Sequence, residues 1–269
     1  MKRYYYTFLL AFIFTSCQQE APSIEKEKSS EAPKEPTEFA QTTPTKKMED
    51  LGVYDYFAGT IGLYGEDVLM EINQEELELT GRYWYLKHGK QIALEGVASA
   101  KSGEWQLKES VKNVVTGNMT LQWKDGKLTG QWYAPGRKSE LQEVALEKVF
   151  TSENGPIQPN FETYKNTKTI TIYNGETDEE QEASDDIRLV RIGDHVLFQY
   201  FVIGTNAHVG HINGLAKMQG KNKAVFSGEE GCQLSLNFEN NAVTILEDED
   251  CSYYRGMRAY FEGTLKKVN

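Results

Sequence analysis

The sequence holds few of the residues from which metal and nucleophilic sites are usually built: three cysteines and four histidines in 269 residues. No Cys-x-x-Cys or His-Glu-x-x-His spacing occurs, so neither common zinc arrangement can be assembled from neighbouring ligands. There is no Gly-x-Ser-x-Gly elbow, no glycine-rich loop ending in Lys-Ser/Thr to cradle a phosphate, and no dinucleotide fingerprint, so no cofactor is expected. Net positive charge is absent as well. At −11 the chain is repelled by phosphate backbones and by anionic head groups, which argues against a nucleic-acid partner and against a basic membrane-binding face. Among 40 carboxylates nothing singles out a catalytic acid/base pair, and a non-enzymatic protein is expected.

The one long apolar run lies at the start. Met1-Lys2-Arg3 is basic, and Tyr4 to Phe14 is apolar over 11 residues, too short for a bilayer span but the length of a signal core. Phe14-Thr15-Ser16-Cys17 follows. This resembles the lipobox of bacterial lipoproteins, with Phe14 where leucine is commonest, a looser form of the kind tolerated in groups such as the Bacteroidetes. The resemblance implies removal of residues 1–16, lipidation of Cys17, and residence in the cell envelope. Gln18 replaces the aspartate that holds some lipoproteins at the inner membrane, so the outer membrane is favoured. Gln18 to Asp50 carries four of the seven prolines, many charges and almost no large apolar side chains. Such a segment buries too little surface to offset its chain entropy and reads as a flexible tether. The membrane is thus expected as a partner through the N-terminal lipid.

Lipidation of Cys17 leaves Cys232 and Cys251. Cys232 opens an alternating segment through Phe238, and Cys251 follows the next one, so the two are expected on adjacent antiparallel strands, close enough for a disulfide. A reduced buried pair or a two-cysteine metal site remains open.

From residue 51 to 150 the pattern has a period of two. Met119, Leu121 and Trp123 share one face, Thr120 and Gln122 the other, and Asp125-Gly126 turns the chain into Lys127–Tyr133. A second hairpin joins Gly81–Tyr85 to Gln91–Gly96 through His88-Gly89. Leu79-Thr-Gly-Arg-Tyr-Trp84 recurs as Leu128-Thr-Gly-Gln-Trp-Tyr133, each copy with a glycine where a strand bends or another backbone approaches. About eight strands are expected, as an up-and-down barrel or a two-sheet sandwich. The stretch from Gly59 to Gly96 resembles a module of many exported bacterial proteins and implies a β-meander without implying an activity. Tyr83, Tyr85, Trp123 and Trp132 are candidates for a ligand-binding wall, against the simpler reading that such aromatics fill the core.

Residues 151–167 read as a linker, with Asn154-Gly155-Pro156 and Pro159. Residues 168–269 read as a second small antiparallel β domain stapled by Cys232 and Cys251. Glu176 to Asp186, with seven carboxylates, is expected as a solvated loop. His208 and His211 are read as surface or turn residues, and no metal site is expected, because positions three apart on a strand face opposite sides. His208-Val-Gly-His211, Cys232 to Phe238 and Asp250-Cys251 together resemble a domain found beside lysozyme-inhibitor proteins. Those inhibitors carry a Ser-Gly-x-x-Tyr loop, whereas here Ser227-Gly-Glu-Glu is followed by Gly231. Two β modules on a lipidated tether point to a binding protein whose partner is an unknown protein or an envelope glycan. The alternatives are a carrier of apolar or sugar ligands, or an inhibitor of a lysozyme-like hydrolase.

Overall fold

Short turns follow nearly every strand, and a short turn lays each strand antiparallel beside the one before it. The computed structural model describes residues 52–62 and 65–268, so the signal segment, Cys17 and the tether lie outside the described residues. The described chain is all-β and forms two closed eight-stranded barrels. The first comprises β1 (Tyr54–Ile61), β2 (Glu66–Glu75), β3 (Glu78–Tyr85), β4 (Gln91–Ala98), β5 (Glu104–Val111), β6 (Val114–Lys124), β7 (Lys127–Tyr133) and β8 (Gln142–Ser152). Pairing of β1 with β8 closes it. The second comprises β9 (Phe161–Tyr173), β10 (Asp178–Ile192), β11 (His195–Ile203), β12 (Val209–Met218), β13 (Lys223–Ser227), β14 (Gln233–Glu239), β15 (Ala242–Glu249) and β16 (Gly263–Lys267), closed by β16 against β9. A barrel removes the exposed edges that a sandwich would leave.

The expected alternation sets the first core. Leu107, Met119, Leu121, Leu128, Val144 and Leu146 are buried inside the barrel, and Asp125 and Gly126 both take positive φ in the β6–β7 turn. The repeat has a structural meaning. A Cβ on Gly81 would lie 2.1 Å from the Glu71 carbonyl oxygen, and one on Gly130 2.1 Å from that of Thr120. Only glycine lets the neighbouring strand approach there, and such kinks curve a sheet into a small barrel.

Two expectations change. The linker is shorter than residues 151–167, because β8 runs through Ser152 and β9 starts at Phe161. The acidic segment is not a loop: only the turn after Tyr173 is irregular, and Asp178–Asp186 pairs with Lys165–Tyr173. Thr171 and Thr169 lie opposite Glu180 and Glu182, and Lys168 Nζ donates to Asp185 Oδ2 at 2.6 Å.

The barrels pack side by side within one compact unit. Tyr56, Ala58, Leu69, Trp84 and Leu86 on the outside of the first meet Val190, Ile192 and Leu197 of the second. This contact buries the outer face of β2 as well as its inner face, so Asp67–Asn73 is buried without a break. The connection between barrels is clamped: Ile157 N donates to Tyr56 Oη, and Tyr56 Oη donates to Glu71 Oε2, both at 2.5 Å. Arg82 Nε completes the cluster at 2.8 Å from Glu71 Oε1.

Asp67 sits in this contact at 4% exposure. Its Oδ1 accepts from Asn213 Nδ2 at 2.7 Å, while Oδ2 has no partner among the described residues. Burial pushes the carboxyl up to about 6, against the opposing effect of the Asn213 hydrogen bond. A raised carboxyl pKa means that the folded state favours the neutral acid. The stabilisation is complete below the unfolded value near 3.8 and is lost as pH rises through about 6. Two pKa units correspond to roughly 3 kcal/mol. Asp67→Asn keeps the acceptor for Asn213 and cannot ionise, so it should raise stability at pH 8 by about 2 kcal/mol and change little at pH 4. Urea unfolding at both pH values tests this, and equal effects at the two would refute it.

Candidate functional site

At one end of the first barrel the two repeat copies converge. Tyr83 on β3 and Trp132 on β7 hold equivalent inward positions on strands four apart in the closed ring. Tyr83 Oη donates to Glu109 Oε2 at 2.5 Å, and Trp132 Nε1 donates to the same oxygen at 2.9 Å. Glu109 is itself buried, on the inward face of β5 two residues beyond Leu107. Tyr85 joins edge-on, its ring centroid 5.4 Å from that of Tyr83. Burial, with the nearby Glu109 charge, drives the Tyr83 phenol well above its ordinary range, and burial raises Tyr85 too. Both stay neutral, and Tyr83 is the donor to Glu109. Glu109 Oε2 is thus satisfied by two donors from the two repeat copies.

Trp123, the fourth candidate, is elsewhere. It stacks on Trp105 at 6.0 Å and meets Phe57 edge-on at 5.5 Å, near the opposite end of the barrel. The four aromatics thus do not form a single wall. Tyr83 and Trp132 meet on Glu109, Tyr85 packs edge-on against Tyr83, and Trp123 packs against the core.

The second barrel presents a different end. Its strands lead into three single-turn helices, Thr205–Ala207, Glu229–Gly231 and Ser252–Tyr254, and a long segment from Asp250 to Glu262 lies across the opening. Ala259 and Phe261 of that lid are fully buried in the barrel core. The expected disulfide pins the lid where it begins: Cys232 and Cys251 are bonded, with Cα atoms 4.5 Å apart. Glu247 holds it further on, accepting from Cys251 N at 2.9 Å and Arg255 Nη2 at 2.9 Å.

What the lid shows outward is unusual for a small barrel. Tyr253, Met257 and Tyr260 are 63%, 80% and 58% exposed. Tyr260 and Arg255 line an open depression of about 430 Å³ together with Glu247, Asp248, Glu249, Asp250 and Glu262. Glu229 and Glu230 lie on a neighbouring turn, and Tyr254 Oη accepts from Glu229 N at 2.8 Å. The loop whose fifth position is Gly231 instead of tyrosine therefore gains a tyrosine hydroxyl from the lid. Sequence reasoning missed this cluster, because the exposed tyrosines carry no period that separates them from core residues.

His208 packs against Gly256 of the lid, and His211 projects from β12 on the barrel's outside, where burial lowers its pKa against the nearby Glu66 and Asp186 charges. Among the described residues, no group of three or more His, Cys, Asp or Glu is placed to hold a metal ion. No helix of the described residues is long and apolar enough to cross a membrane. Comparison with known proteins supplies no family: no family model, curated protein or solved structure matches the chain.

Proposed function

We propose that this is a lipid-anchored, non-catalytic binding protein of the bacterial cell envelope, which docks a cationic protein surface on the lidded end of its second barrel. The observation that carries the reading is the exposure of Tyr253, Met257 and Tyr260 on one disulfide-pinned lid, with Glu247, Asp248, Glu249, Asp250 and Glu262 lining the depression at Tyr260. Tyrosine and methionine are enriched at the centres of protein interfaces, where a ring of polar residues excludes water. A lid fixed at both ends loses little freedom on binding. The acidic surround selects a basic partner and speeds its approach. Cys17 would supply the anchor and Gln18 to Asp50 the reach, which supports an address outside the cytoplasm.

The carrier reading has less support. A ligand inside the first barrel would have to displace the stacked Trp105 and Trp123 or the Tyr83–Glu109 pair. Inhibition of a lysozyme-like hydrolase is a special case of the proposal, since that partner is basic.

The test is a calorimetric titration of the exported chain with a lysozyme at low and high salt. Binding in the micromolar range or tighter, weakened by salt and by Tyr253→Ala or Asp250→Lys, is the expected result. Absence of binding at low salt removes the lysozyme-like partner, and binding untouched by both substitutions overturns docking at the lid.

A further inference from the structure

The acidity of the chain is unevenly spread, and one end of the first barrel reverses it. In an up-and-down barrel alternate turns lie at the same end. The β1–β2, β3–β4, β5–β6 and β7–β8 connections therefore share an end. The last three of them carry Lys87, Lys90, Lys112, Arg137 and Lys138, all exposed, against Glu140 as their one carboxylate. Glu140 lies 3.5 Å from Arg137, while Glu66 and Glu143 stand behind the turns where β2 and β8 begin. The turns at the opposite end carry Glu76 and Asp125 against Lys101. A net charge of −11 conceals this basic end.

The same end shows apolar side chains to water. Val111, Val114 and Val115, within one hairpin, are 41%, 64% and 44% exposed, and Leu141 of the β7–β8 connection is exposed as well. Val111 and Val114 pair across the turn, where Lys112 and Asn113 both take positive φ and close a tight two-residue hairpin. Pairing of β5 with β4 stops at Ser110, and pairing of β6 with β7 stops at Asn118. The tip thus runs beyond the paired part of both neighbouring strands. Tyr85 and Tyr133, both half-buried, end β3 and β7 at this level, and Lys138 Nζ lies 6.0 Å from the Tyr133 ring centroid. Aliphatic tips among lysines suit a bilayer surface. The valines enter the acyl boundary, the lysine stems lie along it with their ammonium groups among the head groups, and tyrosines are at home at that depth. Protein interfaces are instead poor in lysine and centred on aromatic, methionine and arginine side chains.

From this arrangement we infer that this end of the first barrel docks on an anionic lipid bilayer, with Val111, Val114 and Val115 in the head-group boundary and Lys87, Lys90, Lys112, Arg137 and Lys138 on the lipid phosphates. The contact needs neither an acyl chain nor the lid of the second barrel, and it holds or fails separately from both. It is also compatible with an anchor at Cys17. β1 begins at the opposite end of the barrel, but Gln18 to Asp50 spans about 110 Å when extended, against roughly 26 Å for an eight-residue strand such as β1. That reach lets a tethered barrel turn its basic end to the membrane.

Vesicle co-sedimentation of the exported chain carrying Cys17→Ser, which removes the acyl site and keeps both barrels whole, tests the inference. Vesicles of phosphatidylcholine with about one-third phosphatidylglycerol should carry down half of the chain below about 1 mM lipid at low salt, and less at high salt. Pure phosphatidylcholine vesicles should bind it about tenfold less or weaker still. Val114→Asp and Lys112→Glu should each weaken binding to the anionic vesicles by about tenfold or more. Both positions are exposed, so unchanged melting temperatures show that the fold is intact. Tyr253→Ala on the lid should leave vesicle binding unaltered. Loss with Lys112→Glu but not with Val114→Asp would mark a soluble anionic partner in place of a bilayer and overturns the inference. So does equal binding to the two kinds of vesicle, or no sedimentation at millimolar lipid.

Discussion

Exchanging Cys232 and Cys251 together for alanine should lower the free energy of unfolding by about 3 kcal/mol. The pair closes a loop of sequence separation 19, and cross-linking a loop of that size removes about that much chain entropy from the unfolded state. Alanine suits the site, because both cysteines are buried and serine would bring an unpaired hydroxyl. The lid should loosen at the same time, for the disulfide holds its start at Cys251, leaving Glu247 and the buried Phe261 to retain the rest. Denaturant unfolding gives the stability change and hydrogen exchange gives the lid. A loss under 1 kcal/mol with an unchanged lid would show that packing alone fixes this end.

Arg82→Ala should be at least as damaging, at about 3–5 kcal/mol. The Glu71 side chain is only 3% exposed, and its carboxylate depends on Arg82 Nε at 2.8 Å, Arg82 Nη2 at 3.2 Å and Tyr56 Oη at 2.5 Å. Removing the guanidinium strands a buried charge beside the barrel contact and strips the cation from the Trp84 face, where it lies 4.9 Å from the ring centroid. Lys148 and Asp55 form an equally short pair, at 2.7 Å, but both side chains are about one-third exposed. Lys148→Ala should therefore change stability by less than about 1 kcal/mol. Denaturation of the two variants side by side separates burial from distance as the deciding factor. Similar losses in both would contradict the burial argument.

The first barrel was legible because its strands face water on one side. Met119, Leu121 and Trp123 alternate with polar neighbours, Asp125-Gly126 marks the turn, and Gly81 and Gly130 mark the closure. Closure itself was not legible, since a barrel and a sandwich share that pattern. The alternation also contained an unused hint. Glu109 falls on the same face as Trp105 and Leu107, and a carboxylate at an inward position needs partners, here Tyr83 and Trp132.

Other features were hidden for physical reasons. On β2 both faces are buried, one by the barrel's own core and one by the second barrel, so no period betrayed Asp67 or Glu71. The acidic strand read as a loop because its stabilising partners lie on β9, and only pairing reveals them. Tyr253, Met257 and Tyr260 look like core residues in a list of letters. Their exposure depends on how the lid crosses the barrel, with Ala259 and Phe261 turned inward on either side of Tyr260.

Amide hydrogen exchange of the exported chain, with and without saturating lysozyme at low salt, tests docking at the lidded end most directly. Added protection is expected on residues 250–262 and on the neighbouring turn at Glu229–Gly231, with the strands of the first barrel unchanged. Protection centred on the first barrel, or none anywhere, would contradict it.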